Sequence, residues 1–185
     1  MHNRWLVRVA VIMMVLVAGC LAPTPAPSVT PAPGSLTLHI DSLNPGDPLP
    51  QVYSCTGSNE SPEVSWENIP VGTKSLVLIL EDPDAPRGTF THWLVYNIPP
   101  ESGELARGQP DANVLDDGAQ QGNNSAGYPG YFPPCPPGGA QHRYIFHLYA
   151  VDMDILQPAA DRASIDRALT GHTIGQTESL TTFRK

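Results

Sequence analysis

Basic residues are scarce in this sequence. Ten Lys and Arg stand against eighteen Asp and Glu, giving a formal net charge of −8 and a pI near 5.0. Two of the ten, Arg4 and Arg8, fall in the first eight positions, and without them −8 becomes −10. Recognition of a duplex or another anionic polymer needs a basic stripe, so nucleic acid is excluded as a partner. An anionic lipid surface would repel the acidic remainder of the chain in the same way. Local catalytic signatures are also missing: no GxSxG elbow, no Walker A loop and no GxGxxG occurs. Neither HxH nor HExxH spacing is present, which leaves a zinc-type site without its usual local pattern. There is no internal repeat.

Long apolar runs are absent too. The run from Val9 to Ala18 is too short to cross a bilayer and fits the h-region of a secretory signal behind a short basic segment. Val17-Ala18-Gly19-Cys20 resembles a bacterial lipobox, in which Cys20 becomes the acylated first residue of the mature chain. Several acyl chains anchor a protein stably where a single chain is marginal. An ordinary secretory signal with an incidental cysteine is the plainer alternative. Leu21 to Gly34 holds five prolines and no charge, as a PPII-biased spacer would. The expected organisation is a lipoprotein signal peptide over 1–19, a Pro-rich linker over 20–34 and one domain over 35–185. Such a protein is exported and lipid-anchored on the extracytoplasmic side of a bacterial membrane, touching that membrane through its anchor only.

What the domain does have is short apolar runs punctuated by Pro, Gly and Asn, which favours strands. Leu36 to Ile40 alternates, whereas SLVLIL (75–80), WLVYNI (93–98) and YIFHLYAV (144–151) are apolar on both faces, as strands between layers are. One segment reads as helix: Asp161 to Gly171, with a capping residue, Ala and Leu spacing and a terminal Gly. A further helical turn is expected around Glu101 to Arg107. The fold class is mainly β, an antiparallel β-sandwich with small peripheral helices, because Pro-rich loops rather than helices join the strands.

Two stretches concentrate polar chemistry at strand mouths. LEDPDAPRGTFTHWLVYNIPP (80–100) places Asp82 and Asp84 in a proline-broken turn and His92 at the start of the next apolar run. GYPGYFPPCPPGGAQHRYIFHLYAV (127–151) likewise ends in His142 at a strand mouth, with Tyr144 on the same side and Arg143 opposite. Three adjacent strands would gather Asp82, Asp84, His92, His142 and Tyr144 into one small polar pocket. DPDAP, HWLVYNIP and CPPGGAQHRYIFHLYAVD, in this order, resemble the phosphatidylethanolamine-binding protein family in its bacterial Raf-kinase-inhibitor-like branch. SCTGSNESPEVSW (54–66) is similar to the same branch, so the resemblance spans Leu36 to Arg184. It implies a β-sandwich with a shallow anion pocket at one end. Asp82 and His92 match the pocket carboxylate and histidine, Pro136 and Pro137 its edge, and His142 and Tyr144 its wall. It also implies a cis Ala85–Pro86 bond. The RGTFT loop lacks the tyrosine that animal relatives place there, so a kinase-binding rim does not carry over.

An ionised Asp82 accepts hydrogen bonds and prefers an ammonium partner, with Asp84 its substitute. His142 and the Tyr144 hydroxyl donate to phosphate. The expected function is a non-catalytic binding module for small phosphorylated or zwitterionic ligands of the phosphate or phosphoethanolamine type, without a cofactor. One alternative is a protein-interaction module that inhibits a kinase or protease. Another is a hydrolase or metal enzyme using Asp82, Asp84, His92 and His142, or a Cys135 nucleophile beside His142. The plainer readings are a turn that closes a strand and two satisfied core histidines. With Cys20 committed to lipid, Cys55 and Cys135 remain in an oxidising compartment. A disulfide between them is expected, two buried free thiols being the alternative.

Overall fold

The computed structural model describes residues 35–155 and 160–185; the expected signal peptide, Cys20 and the expected linker lie outside the described residues. The strands are β1 (Thr37–Ile40), β2 (Val64–Glu67), β3 (Ser75–Asp82), β4 (Phe90–Ile98), β5 (Glu104–Leu105), β6 (Gln120–Gln121), β7 (Gln141–Val151) and β8 (Thr173–Arg184). A single helix, α1 (Arg162–Leu169), is present among the described residues. A larger sheet runs in the order β6-β4-β3-β7-β8 and a smaller one in the order β1-β2-β5, with every strand pair antiparallel. The chain folds as the mainly β, antiparallel sandwich that its apolar runs predict.

The centre of the larger sheet explains why SLVLIL does not alternate. Leu76, Leu78 and Leu80 face the smaller sheet and pack with Trp66, Trp93 and Phe146. Val77 and Ile79 face the other way, onto Leu94, Tyr96 and the α1 residues Ile165 and Leu169. Both faces are therefore covered, one by a sheet and the other by a helix, and a strand covered on both faces has no solvent side to mark with polar residues. Trp93 is fully buried, and its indole N–H donates to Gln121 Oε1 at 2.7 Å. The same amide gives its hydrogens to the carbonyls of Pro110 and Ala112, which pins the long 106–119 connection to β4.

α1 starts where the caps predict. The Asp161 carboxylate accepts from Ser164 N–H at 2.8 Å while Ser164 Oγ accepts from Asp161 N–H at 2.9 Å, a reciprocal capping box. Gly171 follows the helix at φ +82°, the left-handed position that favours glycine. The expected turn of helix over Glu101 to Arg107 does not form. A short 3₁₀ turn at Pro100–Ser102 ends at Gly103 (φ 74°), and Glu104–Leu105 instead pairs with Val64 and Ser65 of β2. Tertiary pairing overrides a weak local propensity there.

β8 is an edge strand, and part of its outer edge is covered. Gly46 N–H donates to the Leu180 carbonyl, Leu49 N–H to that of Thr182, and Thr182 N–H to that of Asp47.

Candidate functional site

Three neighbouring strands of the larger sheet bring their ends together. β3 terminates at Asp82, β4 begins at Phe90 opposite it, and β7 enters at Gln141 and His142. Between them lies a cavity of about 150 Å³ lined by Asp82, Ala85, Pro86, Phe90, His92, Phe132, Cys135, Pro136, Pro137 and His142. Asp82, His92 and His142 are only 4, 4 and 6% exposed, so a polar floor sits beneath an apolar rim.

Asp82 organises the floor. Its Oδ2 lies 2.7 Å from His142 Nδ1, and its Oδ1 accepts the Asp84 backbone N–H at 2.8 Å. That second bond is the turn-closing contact that Asp-x-Asp sequences favour, and it fixes the carboxylate against the imidazole. His92 is held from the other side. Its Nδ1 lies 2.7 Å from the Phe132 carbonyl, and Phe132 N–H donates to the His92 carbonyl at 2.8 Å, so ring and backbone clasp the same rim residue. Burial pushes the His92 pKa below its ordinary value, with the Phe132 carbonyl and Asp82 opposing.

Two of the expected site residues lie elsewhere. Asp84 accepts from Arg143 N–H, Nε and Nη2 at 2.9, 2.9 and 2.7 Å, outside the cavity. The Arg143 guanidinium and N–H lower its pKa from the ordinary carboxylate range to about 2. With Arg143 exposed and Asp84 only partly covered this pair adds little to stability, and what it adds is present above the ordinary carboxylate pKa and fades as pH falls toward about 2. Tyr144 shares a strand face with His142, as expected, but sits two residues deeper and is fully buried in the sandwich core. It meets His92 edge-on, ring centroids 5.3 Å apart, and its buried hydroxyl makes no close hydrogen bond, although the Asp82 carboxylate lies near enough to act on it. Burial first, and the charge of Asp82 second, push its pKa well above the ordinary value, so the phenol stays neutral.

The Ala85–Pro86 bond is trans, contrary to expectation, since no cis bond occurs among the described residues. The bend comes instead from Gly88 at φ +99°, whose N–H donates to the Ala85 carbonyl at 3.1 Å. Cys55 and Cys135 are bonded, with Cα atoms 5.4 Å apart. Cys55 N–H also donates to the Pro134 carbonyl, and the Tyr131 hydroxyl to that of Tyr53, so the rim loop is tied to the 51–57 segment three ways. Ser61, a residue without a nearby base in sequence, is buried and accepts the Gln109 N–H. Residue-by-residue reading missed Phe90 and Phe132, the rim aromatics. Among the described residues no group of three or more His, Cys, Asp or Glu is placed to hold a metal ion.

A rigid sheet whose central strands end in a small shaped cavity is the architecture of a ligand-binding domain, with the sheet as scaffold and the strand-end loops as contacts. The phosphatidylethanolamine-binding protein profile matches residues 39–184, and the chain belongs to that family. It is 42% identical over 151 residues to a UPF0098 protein of Methanothermobacter thermautotrophicus, covering 81% of this chain and 99% of the relative. A Mycobacterium tuberculosis protein named as a candidate lipoprotein, LppC, is 38% identical over 88% of this chain and 77% of its own. Among solved structures, a phosphatidylethanolamine-binding-protein homologue of Chlamydia trachomatis superposes with TM-score 0.76 at 39% identity, covering 82% of this chain and 99% of that one. Escherichia coli YbcL, described as a new member of the mammalian PEBP family, gives 0.75 at 28% identity over the same shares. Among the described residues no helix is long and apolar enough to cross a membrane.

Proposed function

We propose that the domain is a non-catalytic binding module whose strand-end cavity takes a small oxyanion of the phosphate or phosphoethanolamine type. The supporting observation is the buried Asp82–His142 pair. With Nδ1 committed to the carboxylate, His142 leaves Nε2 to hydrogen-bond the ligand, with the Asp82 carboxylate fixing the ring from behind. Asp82 also supplies the negative potential that a ligand's ammonium group would seek, although both its oxygens already accept hydrogen bonds. His142→Ala should weaken phosphate and phosphoethanolamine binding by about 1.5 to 3 kcal/mol, the range for a hydrogen bond to a charged group. Calorimetric titration of the intact protein tests this, and unchanged affinity in a folded variant would remove His142 from the site.

The same reading places the domain outside the cytoplasm on a lipid anchor. The lipobox-like Val17-Ala18-Gly19-Cys20 and the lipoprotein-named relative support it. Cys20→Ser should move the protein from the membrane fraction to the soluble one; a variant still pelleting with membranes would count against acylation at Cys20.

A further inference from the structure

Each pocket histidine has one ring nitrogen engaged, and at His92 the partner settles the tautomer. A carbonyl oxygen only accepts, so the 2.7 Å contact with Phe132 puts the hydrogen on Nδ1. In the neutral ring the lone pair is then on Nε2. Among the described residues the only fully buried side-chain nitrogen or oxygen atoms without a close hydrogen bond are the Tyr144 hydroxyl and Arg162 Nη1, the latter ion-paired with Asp166. His92 Nε2 has no protein partner and is not one of these, so it opens on the cavity that the ring lines. The groups facing this ring are Asp82 from β3, His142 and Tyr144 from β7, and the Phe132 carbonyl from the rim loop. Burial is the largest influence among them and favours the uncharged ring.

We infer that His92 is a specificity-determining residue: its Nε2 lone pair requires the bound oxyanion to bring a hydrogen of its own, so the pocket accepts hydrogen phosphate and rejects sulfate. The inference rests on the anion-binding reading above and adds a selection rule to it. Near pH 8, about two units above a phosphomonoester's second pKa, inorganic phosphate is mainly a dianion like sulfate but still carries one P–O–H. The two are matched in charge and shape, and they differ in that hydrogen. Sulfate would set a bare oxygen against the Nε2 lone pair and leave a buried acceptor unpaired, the circumstance in which a site rejects an analogue most strongly. A phosphomonoester that has lost its last proton must supply the donor from elsewhere, as the ammonium group of phosphoethanolamine does.

The test is calorimetry on the intact protein with inorganic phosphate and with sulfate, in a series from about pH 8 to about pH 5.5, a window around the ordinary histidine value. Phosphate should bind about 10- to 100-fold more tightly near the alkaline end. The native ratio should also fall toward the acid end as Nε2 protonates; phosphate takes up a second proton over the same window, so the change is read as the difference between the native protein and His92→Gln at each pH. His92→Gln, whose amide offers an N–H, should bring the ratio toward one near pH 8, where the two anions match in charge; if that variant does not fold, the native ratio near pH 8 decides. Equal affinities near pH 8, or a ratio that a folded His92→Gln leaves unchanged, overturn the selection rule while leaving the anion site standing. Binding of neither anion at any pH removes the anion site, and this inference with it.

Discussion

Reduction of the Cys55–Cys135 bond is expected to lower the free energy of unfolding by about 4 kcal/mol, because the bond closes a loop with a sequence separation of 80. That is a large fraction of the ~5–15 kcal/mol that holds an ordinary domain. The native fold should nevertheless survive the loss. The Cys55 N–H to Pro134 bond, the Tyr131 hydroxyl to Tyr53 bond and the His92–Phe132 clasp all remain in the reduced protein. Denaturant melts with and without a reducing dithiol should therefore show a lower midpoint and a still cooperative transition, and Cys55→Ser with Cys135→Ser should reproduce it. An unchanged midpoint would mean that the bond does not form in the protein as isolated. Two freely titrating thiols would return Cys135, which lines the cavity beside His142, to the set of candidate nucleophiles.

Asp82→Ala should cost about 3 kcal/mol, since it strands the buried His142 Nδ1 and the part-buried Asp84 N–H at once. Asp84→Ala, two residues on, should cost less than about 1 kcal/mol, because its Arg143 partner is half exposed and already solvated. Asp82→Asn keeps one acceptor oxygen and should fall between the two. Chemical denaturation of the three variants makes the comparison. Equal losses at 82 and 84 would show that the turn, rather than the His142 contact, is what Asp82 stabilises.

The sequence makes the larger sheet plain where burial is complete. β3, β4 and β7 carry runs that only a doubly covered strand tolerates, and α1 announces itself through Asp161, Ser164 and Gly171. β5 and β6 were illegible because two-residue strands have no periodicity; Glu104–Leu105 and Gln120–Gln121 exist through partners distant in the chain. At the site, alternation correctly put His142 and Tyr144 on one face, yet alternation gives a side and not a depth. Tyr144 falls below the cavity floor for that reason. The Asp-x-Asp turn suggested two ligand carboxylates. Only Asp82 lines the cavity, since Arg143, on the opposite face of β7, captures Asp84. The rim aromatics Phe90 and Phe132 escaped notice because nothing local distinguishes an aromatic that walls a pocket from one that fills a core.

Covering the outer edge of β8 with residues 46–49 has a colloidal consequence. An open edge of that length would offer a second molecule a row of free N–H and C=O groups for sheet-to-sheet growth. Three hydrogen bonds to Leu180 and Thr182 occupy that row at the pocket end of the strand, and the charged Glu178 stands on the stretch that follows. A neighbouring copy thus meets a finished margin, not an open row of donors and acceptors, beside the cavity mouth.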